Sequence, residues 1–221
     1  GGSLVIAPPS ASEGEGEEKI QSPEKASISF PGFLEIGRKA NGSIELFDSA
    51  TRLTCDEAII GGDNASAGGT LNVDTGVSVD CSGSLTLGAN VGPGLVRVAD
   101  GAAMTVNSSI IIGPNGLFIA GLANVTSANV VVNGRLRVVN GLRIERPSEK
   151  DGSSVQDKDI SNHAVIDGSL QMGSGGVLEV TAGSNDALVI TGAANLDGTL
   201  EITLQPGVTF NNDQLLNLIN F

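Results

Sequence analysis

The side chains that could do chemistry are few: two cysteines, one histidine, a scatter of aspartates and a small group of arginines. Cys55 and Cys81 do not form a Cys-x-x-Cys motif, and His163 has no second histidine with which to share a metal. No metal site and no thiol or imidazole nucleophile is therefore expected, and no cofactor. Asp56, Asp63, Asp74, Asp80 and Asp100 could bring carboxylates together from neighbouring turns for calcium binding or catalysis. Aspartate at such places more commonly forms the turn itself, so no catalytic residue is assigned. Arg135, Arg137, Arg143 and Arg146 are a basic cluster in an acidic chain. They could contact an anion or an acidic glycan, or pair with carboxylates of the loop that follows, and the second is expected because exposed ion pairs form readily. Four Asn-x-Ser/Thr sequons, at Asn41, Asn64, Asn107 and Asn124, permit glycosylation of a secreted protein.

The elements that position these residues are announced by a recurring phrase: a glycine, a spacer, then two apolar residues one apart. It reads Gly69-Thr70-Leu71-Asn72-Val73, then Gly94-Leu95-Val96-Arg97-Val98, Gly116-Leu117-Phe118-Ile119-Ala120 and Gly134-Arg135-Leu136-Arg137-Val138. Alternation of this kind points one row of side chains inward on a strand, and the glycine allows the sharp turn before it. Phe33-Leu34-Glu35-Ile36, Gly42-Ser43-Ile44-Glu45-Leu46, Gly168-Ser169-Leu170-Gln171-Met172 and Gly198-Thr199-Leu200-Glu201-Ile202 extend the same series. A second strand set is read at Leu53–Cys55, Val79–Cys81, Met104–Val106, Leu142–Ile144 and Leu178–Val180. A third closes each coil at Ala58–Ile60, Leu85–Leu87, Ile110–Ile112, Val130–Val132, Ala164–Ile166 and Leu188–Ile190.

About three strands per coil, over roughly seven coils, predict an all-β chain folded as a right-handed parallel β-helix, a β-solenoid. Its opening glycines are unevenly spaced, so the turns absorb insertions. The largest insertion is residues 146–161, expected as a polar loop at one corner. The outward position of the first strand set then runs Glu45, Asn72, Arg97, Ile119, Arg137, Gln171, Glu201. No two carboxylates are neighbours in that column, so a glycosidase pair is not expected there.

The same register places Leu53 and Cys55 in phase with Val79 and Cys81 one coil later. Stacked neighbours on parallel strands have a Cα separation that a disulfide accepts, and a Cys55–Cys81 bond is expected in an oxidising compartment. The alternative is two buried free thiols in an aliphatic ladder.

Composition narrows the function classes. A net charge of −13 disfavours nucleic acid and anionic membrane surfaces as partners. No apolar run approaches the roughly 20 residues of a membrane span. With no Trp or Tyr, the flat stacking platform common in sugar sites is missing. Residues 1–27 are read as a short N-terminal strand followed by an acidic flexible linker, and residues 28–221 as the β-helix with a C-terminal cap ending in Leu215–Phe221. The start Gly1-Gly2-Ser3, with no Met or charged leader, is read as a mature terminus or the edge of an excised piece.

The run Ala193-Ala194-Asn195-Leu196-Asp197-Gly198-Thr199-Leu200-Glu201-Ile202, together with the glycine-opened coils before it, resembles secreted right-handed parallel β-helices of the autotransporter passenger and adhesin type. The resemblance covers the chain from about Ser27 and implies a rigid stalk at a cell surface. The expectation is thus a non-enzymatic, extracellular structural or adhesive element. Its partners would be proteins, copies of itself stacked end to end, or cell-surface glycans. The alternative is a polysaccharide-active enzyme or glycan-binding module on the same scaffold.

Overall fold

The computed structural model describes residues 2–6, 27–47, 51–139, 164–182, 188–204 and 219–220. His163, Arg143, Arg146, residues 142–144, the insertion 146–161 and the acidic stretch up to residue 26 lie outside them.

Eighteen strands make up the described chain. The first coils contain β1 (Gly2–Ile6), β2 (Ser27–Ile36), β3 (Gly42–Leu46), β4 (Arg52–Ile60), β5 (Gly69–Val73), β6 (Ser78–Cys81) and β7 (Leu85–Leu87). The middle coils contain β8 (Gly94–Val98), β9 (Ala103–Ile112), β10 (Gly116–Ala120), β11 (Asn124–Val132) and β12 (Arg135–Val138). The last contain β13 (Ala164–Met172), β14 (Val177–Ala182), β15 (Leu188–Ile190), β16 (Ala194–Leu196), β17 (Thr199–Leu204) and β18 (Ile219–Asn220).

They form two parallel sheets wound as a right-handed β-solenoid. One sheet has eight strands in the order β1-β3-β5-β8-β10-β12-β14-β17. The other runs β18-β15-β13-β11-β9-β6-β4-β2, with β7 and β16 as extra partners. The second and third strand sets belong to this one sheet, as two arms joined at a corner. In β4, β9, β11 and β13 both arms are a single bent strand, whereas β6 and β7 are separate. The register shifts at the corner, for example between Phe30 and Phe33 on β2 against β4, and between Ser127 and Asn129 on β11 against β9.

Pairing follows the glycine phrase in the middle of the chain. Gly42 is opposite Gly69, Gly69 opposite Gly94, and Gly94 opposite Gly116. Inward rows therefore stack like on like: Ile44, Leu71, Val96, Phe118, Leu136 and Leu178 form one buried column. Each such side chain contributes about 1.5–3 kcal/mol by leaving water.

At the ends of the chain the phase differs from the one read in the sequence. Phe33–Ile36 is the second arm of β2, not a first-sheet strand. Ser169–Met172 pairs with Asn129–Val132 in the second sheet, and Leu178–Val180 takes the first-sheet place against Leu136–Val138. Ala164–Ile166 and Leu188–Ile190 shift likewise into the first arm of the second sheet, following Asn124–Thr126, a strand that the sequence reading did not assign. The cause is chemical ambiguity: Gly168-Ser-Leu-Gln-Met and Gly176-Val-Leu-Glu-Val both satisfy the phrase. Gly168 opens no coil; its φ of 147° lets β13 bend at the corner, against the backbone carbonyl of Ser127. β1 pairs residue by residue with β3, so the N-terminal strand is a rung of the first sheet.

Turn side chains add a second ladder along one corner. Arg38 pairs with Glu35 at 2.8 Å and with Asp63 at 3.4 Å, Asn90 Nδ2 donates to Asp63 Oδ1 at 3.1 Å, and Asn115 Nδ2 donates to the Asn90 carbonyl at 2.8 Å. Apart from the local Arg38–Glu35 pair, each link joins one coil to the next and satisfies polar groups at the bend.

Candidate functional site

The outward face of the first sheet gathers the charged side chains that sequence spacing separates. With β14 in its place, the outward column reads Glu45, Asn72, Arg97, Ile119, Arg137, Glu179, Glu201. Glu179 and Glu201 are direct register partners, so two carboxylates do stand on adjacent rungs, contrary to the column read from sequence. The signal that finds them is Gly176, whose phrase continues the series from Gly134 once the insertion is allowed for.

Arg137 grips Glu179 with two hydrogen bonds, Nε to Oε2 at 2.7 Å and Nη2 to Oε1 at 3.1 Å. Arg135 bridges both acids from one nitrogen, Nη1 lying 3.0 Å from Glu179 Oε2 and 2.9 Å from Glu201 Oε2. The partners of Arg135 and Arg137 are thus the acids of the next two rungs. Hydrogen bonding by Arg137, helped by Arg135, holds the Glu179 carboxyl below the usual carboxylate range. The same contact with Glu179 raises Arg135 further. Farther along the column, Arg97 Nη1 donates to Asn72 Oδ1 at 3.3 Å. Chemically this patch is a charge-neutralising clamp across three coils.

The cysteines come together as the register requires. Cys55 on β4 is opposite Cys81 on β6, and their Sγ atoms are 2.8 Å apart, unbonded and buried. The contact splits the two thiols: hydrogen bonding by Cys81 lowers Cys55, while hydrogen bonding to Cys55 and then burial raise Cys81. Beside them lies a groove of about 390 Å³, lined by both cysteines and by Pro31, Arg52, Asp56 and Asp80. Asp56 accepts from the Gly32 N–H at 2.9 Å and from Ser82 Oγ at 3.1 Å, and Arg52 Nε donates to Asp80 at 2.8 Å.

All four sequon asparagines are exposed. Asn41 and Asn64 sit at the turns that lead into the first sheet, Asn107 at the corner of β9, and Asn124 at the start of β11. Asn41 Oδ1 accepts from the Gly68 N–H at 2.8 Å, and Asn64 Oδ1 from both N–H and Oγ of Ser66. Of the turn aspartates, Asp56 and Asp80 share the groove beside the cysteines, and among the described residues no third joins them. Asp63 belongs to the corner ladder, Asp100 accepts from the Leu122 N–H at 2.8 Å, and Asp56 and Asp80 each face their own partner. Among the described residues, no three His, Cys, Asp or Glu side chains form a group that could hold a metal ion, and no helix is long and apolar enough to cross a membrane.

No protein-family model, curated protein or solved structure matches the chain, so the β-solenoid scaffold itself is what its residues establish.

Proposed function

We propose that the chain is a structural or adhesive element outside the cell or at its surface: a stiff stalk or filament subunit of the kind formed by β-helical passengers and adhesins. The observation that carries this reading is the parallel ladder, unbroken among the described residues from β1 to β17, whose last described rung is apolar. Leu200, Ile202 and Leu204 lie in the inward rows of the first sheet, yet each is almost half exposed, at 44%, 48% and 49%. Among the described residues β17 pairs on one side only, with β14. At the other end β1 and β2 are the outermost of the described strands, and Phe33 on β2 is exposed. Because neighbouring strands are parallel throughout, β1 of a second copy can extend the ladder beyond β17. Such a head-to-tail contact does not close, and it generates a fibre.

Sedimentation across a concentration series, with negative-stain electron microscopy of the same samples, tests this. Rods that lengthen by whole subunits support the reading. A single short species at every concentration, with no rods, contradicts the filament form. Secretion from a glycosylating host tests the compartment: glycan on Asn41, Asn64, Asn107 or Asn124 is expected, and a chain retained and degraded inside the cell speaks against it.

One observation favours the second reading, a polysaccharide-active enzyme or glycan-binding module. Rungs about 4.8 Å apart bring Glu179 and Glu201 near the roughly 5 Å separation of a retaining glycosidase pair. Against it, Arg135 Nη1 contacts both carboxylates, so each candidate catalytic group is already held in an ion pair. Hydrolysis of any oligosaccharide, abolished by Glu201→Gln, would move the assignment to this alternative.

A further inference from the structure

Cys55 and Cys81 are the only cysteines in the chain, and the fold sets them on adjacent coils at the same register position. Their sulfurs, 2.8 Å apart, already lie inside the contact distance of two unbonded sulfur atoms and need close by less than 1 Å to reach an S–S bond of about 2.05 Å. Only 5% of Cys55 and 2% of Cys81 is exposed, so a bulky oxidant cannot reach them from the general surface. The groove beside them provides a path, and its rim carries Asp56 and Asp80, the latter paired with Arg52.

We propose that Cys55 and Cys81 are a covalent modification site: they form an intrachain disulfide that staples two successive coils, and the groove admits a small cationic or neutral disulfide as oxidant. This goes beyond the stalk reading and does not depend on it. Cys55, the more exposed thiol, loses its proton and attacks one sulfur of the small disulfide, releasing a first small thiol. Cys81 then loses its proton and attacks the Cys55 sulfur of the mixed disulfide, releasing a second. The protein loses two protons and two electrons, and the small disulfide takes them up to become two thiols. The acidic rim repels an anionic oxidant and attracts a cationic one.

The test uses the full chain, reduced and freed of reductant, then exposed separately to cystamine, which is cationic, and to oxidised glutathione, which is anionic. Expected is a monomer lighter by two hydrogens, a linked peptide joining Cys55 and Cys81, a raised thermal midpoint, and oxidation several-fold faster with cystamine at low salt. The rate difference should shrink in 1 M salt, where the Debye length is about 3 Å. Cys81→Ala should stop at the mixed disulfide on Cys55. Thiols that both remain alkylatable after unfolding, or a disulfide-linked dimer in place of the monomer, would overturn the staple. Glutathione reacting as fast as cystamine at low salt would overturn the role of the groove, and a Cys81→Ala chain that takes up no small thiol would overturn Cys55 as the attacking group.

Discussion

At the scale of single residues, the firmest electrostatic feature is the grip of Arg137 and Arg135 on Glu179, whose side chain is 16% exposed. A pair of this kind near the surface contributes on the order of 1 kcal/mol. Glu179→Gln should therefore lower the urea midpoint modestly. A double-mutant cycle with Arg137→Gln should return a coupling of about 1 kcal/mol, and no coupling would mean that the ion pair is not formed in solution. The pH dependence follows from the direction of the shift. Because the folded carboxyl titrates below its unfolded value of about 4.3, the contribution is fully present above that pH and fades as pH falls through the folded value. Urea unfolding between pH 7 and pH 2 should show wild type and Glu179→Gln converging only at the acid end.

At the scale of elements, glycines set where strands turn and how closely coils approach. Gly88 has φ of +57°, and a Cβ there would run into the backbone of Asn115 and Gly116 in the next coil. Gly32, at φ +104° on the corner of β2, has open space where a Cβ would go. Gly32→Ala should thus cost about 1–2 kcal/mol of backbone strain, and Gly88→Ala roughly 3 kcal/mol or more, because collision adds to strain. Equal effects on the thermal midpoint would contradict this geometry. The glycine phrase also explains what could be read in advance. From Gly42 to Gly134 its apolar alternation has one consistent solution, and apart from Asn124–Thr126 the strands, the inward rows and the Cys55–Cys81 register follow from it. Beyond Gly134 a long insertion removes the local phase, and Gly168 and Gly176 offer equivalent phrases. Only contact with the coil below selects Val177–Val180, through the fit of Leu178 over Leu136 and of Glu179 beside Arg137. The carboxylate pair was hidden for that reason: it is a property of register, which local sequence does not carry.

For the whole molecule, the two ends differ in what they offer. The last described rung of the first sheet exposes Leu200, Ile202 and Leu204, so a lysine there places charge where a second copy would dock. Ile202→Lys should suppress concentration-dependent growth while leaving the circular dichroism of the monomer unchanged; rods that persist would show that another surface joins the subunits. The idea of a stiff spacer rests on coils stacked in one straight column from the first turns to the last. Spin labels on the outward positions Thr70 and Thr199, in a Cys55→Ser/Cys81→Ser background, measure that column directly by pulsed dipolar spectroscopy. Five rungs at about 4.8 Å predict one narrow distribution with a backbone separation of about 24 Å. A broad distribution, or a mean far from that value, would contradict the continuous solenoid.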